Sequence, residues 1–103
     1  DKALALYKQM ENIQMTALVY YSKGSIYFNT NKEDSAILYL QRAIFIADSI
    51  NDIQNLSTYH GELSRVYIKQ KKYKEAEVVL QKALGYAKQT GNTVQEAVIH
   101  SFL

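Results

Sequence analysis

The chain matches itself, without a gap, when it is shifted by 40 residues. Ala3, Ala43 and Ala83 coincide, as do Tyr27 with Tyr67, Ala36 with Ala76, Leu40 with Leu80, Gln41 with Gln81, and Ala47 with Ala87. Tyr20, His60 and His100 fall in register, and Asn12, Asp52 and Asn92 fall together at expected turns. A fixed period of this length marks a stack of supersecondary units. One such unit cannot bury its apolar face alone, so neighbours complete the core.

Each unit reads as two helices. Leu56, Tyr59, Leu63, Val66 and Tyr67 follow the i, i+3, i+4, i+7 rhythm of an amphipathic helix. The polar stretch Lys69–Lys72 interrupts it, and Ala76, Val79, Leu80, Ala83, Leu84 and Ala87 define a second helix. Gly91 suits the left-handed position that ends a helix. Thr93 with Glu96 fits a capping box that starts the next one. In the preceding unit the helices span about Gln14–Thr30 and Glu33–Ile50, with a turn at Asn31–Lys32. The chain is expected to open on the end of an earlier helix, about Lys2–Met10, and to close inside a later one, about Thr93–Leu103. The organisation is therefore residues 1–12, a repeat at 13–52, a repeat at 53–92, and the start of another at 93–103. The absence of proline and the abundance of Leu, Ala, Lys, Gln and Glu agree with an all-α chain. Beginning at Asp1 rather than Met, the chain reads as part of a longer solenoid.

The pattern resembles the tetratricopeptide repeat (TPR) family, whose units carry a large aromatic, Leu-Gly, Tyr, then Ala, a bulky apolar residue and Ala. The matching residues are Tyr20, Lys23, Gly24, Tyr27, Ala36, Leu40 and Ala43, and then His60, Leu63, Ser64, Tyr67, Ala76, Leu80 and Ala83. His100 and Leu103 begin a third set. The Tyr and Ala positions favour this family over HEAT or Sel1-like repeats. The spacing of 40 residues, rather than about 34, places the extra length after Ala43 and Ala83. That is similar to the long-helix variants of bacterial regulatory proteins. The closing Pro is absent and Lys23 replaces the Leu. The resemblance implies a right-handed superhelix of antiparallel helix pairs, about two and a half repeats here. Small residues at Gly24 or Ser64 and at Ala36 or Ala76 would let the paired helices cross closely.

In that superhelix the first helix of each pair lines a concave groove. The expected groove positions are Leu18, Tyr21, Ser25, Phe28 and Asn29, then Thr58, Gly61, Arg65, Ile68 and Lys69, then Val98 and Ser101. Tyr21 and Phe28 offer rings against which a peptide side chain packs. Arg65 and Lys69, four residues apart, share a helical face and suit a carboxylate or acidic peptide. The family's carboxylate clamp of Lys and Asn is not reproduced, since its positions carry Tyr21, Ser25, Asn29, Gly61, Arg65 and Lys69. An acidic chaperone tail is therefore not the expected ligand.

Other chemistry finds little support. The run Lys69, Lys71, Lys72 and Lys74 lacks interleaved aromatics and is followed by Glu75 and Glu77, so no nucleic-acid contact is expected. His60 and His100 have no recurring acidic partners, so no metal is expected. With no cysteine, no phosphate loop and no acid–base pair, neither catalysis nor a cofactor is expected. Glu33, Asp34, Glu75 and Glu77 near helix starts complement the helix dipole. Apolar runs such as Ala17–Tyr21 are far shorter than the ~20 residues that span a bilayer. The expected role is a protein or peptide partner bound in the groove, within a larger regulator or sensor, most simply in the cytoplasm. The alternative is a structural spacer, or self-association through terminal half-repeats that leave Leu4, Leu6, Val98, Ile99, Phe102 and Leu103 without a neighbour.

Overall fold

The computed structural model describes residues 2–91. Among them are four helices: α1 (Lys2–Asn29), α2 (Glu33–Ser49), α3 (Ile53–Lys69) and α4 (Tyr73–Thr90). They pack as two antiparallel pairs, α1 with α2 and α3 with α4, joined through α2 and α3. This is an all-α, TPR-like arrangement. The backbones of α1 and α3 approach each other more closely than those of α2 and α4, so the stack bends toward the α1/α3 side. That side is called inner below. The expected helix at 93–103, its capping box and the groove positions Val98 and Ser101 lie outside the described residues.

The three described turns share one chemistry. Asn31, Asn51 and Lys71 each adopt positive φ, as does Gly91 after α4. The amides of Lys32, Asp52 and Lys72 bond back to the carbonyls of Tyr27, Ala47 and Tyr67 at 2.8, 2.9 and 2.8 Å. These are Schellman endings, which satisfy the last carbonyls of a helix through one left-handed residue. Asn tolerates that conformation because its short polar side chain bonds locally.

The first expected turn is not there. α1 runs unbroken through Asn12, so residues 2–10 are not a separate helix. The register explains the difference. Glu11 stands where the later turns carry Asn51 and Gly91. Glu favours helix, whereas Asn and Gly accept the left-handed ending. Thr16 adds a side-chain bond of 2.9 Å to the Asn12 carbonyl within the continuous helix.

The repeat positions form the core. Ala36, Leu40, Ala43 and Ala47 of α2 are fully buried, and Ala76, Leu80, Ala83 and Ala87 of α4 are buried with them. A Cβ at Gly24 would lie 2.9 Å from Leu40 Cγ, so only glycine lets α1 and α2 cross there. Ser64 occupies the same register on α3, fully buried, its hydroxyl turned back to the Gly61 carbonyl. Ser57 crosses to α4, donating to the Ala83 carbonyl at 3.0 Å. Leu40 also joins Leu63 and Val66 in a cluster that binds the first pair to the second. No helix among the described residues is long and apolar enough to cross a membrane.

Candidate functional site

The inner face is built by side chains from both repeats. Phe28 ends α1 half-buried. Arg65 and Lys69 of α3 sit over its ring, at 5.4 and 5.0 Å from the centroid. A ring face attracts cations, so the two charges hold the aromatic and are held by it. One turn of sequence places both charges, because residues four apart share a helical face.

Each cation also has a neighbour of opposite charge. Arg65 meets Glu62 at 3.4 Å, and Lys69 meets Glu33 at 3.8 Å. Lys69 donates to Asn31 Oδ1 at 2.6 Å, which ties α3 to the turn of the first repeat. Pairs this exposed are worth about 0–1 kcal/mol. Breaking either pair would therefore cost little.

Tyr21 lies half-buried beside this patch, its ring stacked on Tyr59 at 4.9 Å. Burial raises its pKa and Glu62 adds to the rise, against a bond from Ser25 and the charge of Arg65. Its phenol is thus neutral at physiological pH and available as a donor. Tyr59 itself is 1% exposed and its hydroxyl has no partner among the described residues.

The expected positions separate into two groups. Tyr21, Ser25, Phe28, Arg65 and Lys69 come together around the ring of Phe28 and the Tyr21 phenol. Leu18 lines a separate inner cavity of about 320 Å³ with Glu11, Gln14, Met15 and Asn55. Asn29 is exposed at the end of α1, Thr58 is half-buried, and Gly61 is buried. Ile68 packs against the α4 cluster of Leu80, Ala83, Leu84 and Ala87. Glu62, Asn31 and Asn55 were missed by sequence reasoning. Glu62 was legible, three residues before Arg65 on the same helix. Asn31 and Asn55 reach the face only through the crossing of the two repeats.

His60, the other residue singled out, is structural. Its Nδ1 donates to the Leu56 carbonyl at 2.9 Å, and its ring tilts against Tyr86 at 5.5 Å. No group of three or more metal-ligating side chains exists among the described residues. Burial lowers the His60 pKa; the Leu56 bond opposes this, Lys82 lowers it further, and Asp48 raises it. The unfolded chain then binds more protons than the folded one near the ordinary histidine pKa of about 6.5. The stability from neutral His60 is complete above that pH and is lost as the pH falls toward the folded value. Urea midpoints measured from pH 8 to 5 are expected to drop in that window. The drop should shrink in His60→Gln, and an equal drop in that variant would remove His60 as its source.

A family model described as tetratricopeptide repeat matches residues 17–48 and 57–90. No curated protein matches the chain at a significant level.

Proposed function

The chain belongs to the tetratricopeptide repeat family, whose repeats generally mediate protein–protein interaction, and we propose that it binds a partner segment on the inner, concave face. The observation that carries this reading is the shared patch of Phe28, Arg65 and Lys69, which exists only because two repeats meet. A segment with an apolar side chain next to a carboxylate fits it. The side chain packs on Phe28 and Tyr21, and the carboxylate takes bidentate bonds from Arg65 and a point charge from Lys69. Catalysis has no part in this reading. The module serves within a larger regulator or sensor, in a cytoplasmic setting.

The test is capture of partners from lysate of the source cells, wild type against Tyr21→Ala/Arg65→Glu/Lys69→Glu. Helical content is matched first. A partner held by wild type and lost, at least ~10-fold, in the variant is the expected result; removing one half-buried ring and reversing two charges is worth more than about 1.4 kcal/mol. Identical capture by both would remove the inner face as the binding surface.

A second reading, a spacer in a longer stack, rests on the opposite face of α1. Val19 and Ile26 are 52% and 60% exposed, whereas Tyr59 and Val66 at the same register are 1% and 0% exposed. The first repeat thus presents the face that the second repeat buries, and a further repeat stacked there would cover it.

A further inference from the structure

The outer side carries a second surface that the inner-face reading does not use. α2 and α4 both pack on α3, their own backbones lying further apart. Between them lies a cavity of about 410 Å³, bounded by Ile44, Phe45 and Asp48 of α2, His60 of α3, and Lys82 and Tyr86 of α4. Its floor is aromatic, formed by the His60 and Tyr86 rings.

Three features beside this cavity have no packing or ion-pair partner among the described residues. Phe45 is 77% exposed, more than any other large apolar residue of the described chain. Gly85 stands 40 residues on, at the same register of α4. It lies in mid-helix, where glycine is less favourable than alanine. A Cβ there would meet nothing within 4 Å, so no neighbour among the described residues requires the glycine. Asp48 and Lys82 stand on opposite walls of the cavity, and neither has an ion-pair partner among the described residues.

A projecting ring, an adjacent aromatic hollow, and opposite charges on its two walls make a surface complementary to itself. Such a surface meets its own copy about a two-fold axis, each contact occurring twice. We propose that the outer face is a homodimer interface: Phe45 of each copy enters the α2–α4 cavity of the other, Asp48 opposes the second copy's Lys82, and Gly85 admits close approach of the facing backbone. Leu38 and Val78, 48% and 56% exposed on the same helices, extend the apolar area. A ligand of one charge sign would leave either Asp48 or Lys82 opposed by a like charge, which favours a second copy over an acidic or basic peptide.

Sedimentation velocity over a concentration series tests this. Wild type is expected to dimerise, and Phe45→Ala to weaken the dimer at least ~30-fold, as truncating a central aromatic anchor does. Asp48→Lys alone should weaken it at least ~10-fold by setting like charges together, and Asp48→Lys/Lys82→Glu should restore it. Phe45 and Asp48 are exposed, so these variants are expected to keep wild-type helicity, checked by circular dichroism. A wild type monomeric to about 1 mM, the weak end of specific association, overturns the proposal. So does a dimer indifferent to Phe45→Ala and to the charge exchange.

Discussion

Replacing Tyr59 by alanine is expected to lower the unfolding free energy by ~3–5 kcal/mol, the range for losing a large buried ring. Small domains hold only about 5–15 kcal/mol in total. Tyr59 is 1% exposed, and it packs with Ala17, Ala43, Ala47 and Leu56, residues from α1, α2 and α3. No single neighbour can collapse into the space it leaves. Tyr59→Phe should behave in the opposite way. The hydroxyl is buried with no hydrogen-bond partner among the described residues, so it bears the cost of desolvation without a return. Removing it is expected to leave stability unchanged or raise it by up to about 1 kcal/mol. Urea unfolding of the three proteins decides both. A Phe variant weaker by more than about 1 kcal/mol would mean that the hydroxyl is satisfied, for which the usual worth of one hydrogen bond is the yardstick.

Leu40→Ala is the second large effect, ~2–5 kcal/mol for a fully buried leucine. Its consequence is also functional. Leu40 touches the position of Gly24 on α1 and clusters with Leu63 and Val66 on α3. It therefore fixes both the crossing inside the first repeat and the joint to the second. Phe28 packs against the same cluster. Loosening it moves Phe28 away from Arg65 and Lys69, whose distances to the ring depend on that joint. Partner capture is expected to fall with stability, although no residue of the inner face is changed. A variant destabilised by this amount that binds as well as wild type would show that the two repeats act separately.

Much of the fold was legible in the sequence because its determinants are local and periodic. α2 begins and ends within a residue of the expected Glu33–Ile50, and α3 and α4 end where the Lys69–Lys72 break and Gly91 were expected to end them. The small residues at Gly24 and Ser64, and the alanines opposite them, were readable as crossing points, and the packing bears that reason out. The continuous α1 was not read, since Asn12 matches Asp52 while the deciding residue is its neighbour, Glu11 against Asn51. A turn of this kind depends on a single left-handed residue, which a comparison of side-chain types along the repeat does not weigh.

The inner face was legible only in part. Helical spacing put Arg65 and Lys69 on one face, and Tyr21 and Phe28 at matching heights on the other helix. That Phe28 would lie beneath both cations, and that Asn31 and Glu33 would reach Lys69, depends on the angle between repeats. Ile68 was expected in the groove, and it packs against α4. Its position on α3 lies at the border between the two faces, where a small rotation of the helix decides the outcome. Phe45 was not singled out in the sequence, and nothing there showed the cavity beside it.

The most direct measurement is site-specific photo-crosslinking in the source cells. A photoreactive residue is placed at Asn29, exposed on the inner face, and separately at Leu38, exposed on the outer one. A heterologous partner crosslinked at Asn29, and only a second copy of the chain at Leu38, is the predicted result. A heterologous partner crosslinked at Leu38 and not at Asn29 would contradict the assignment of the inner face as the recognition surface.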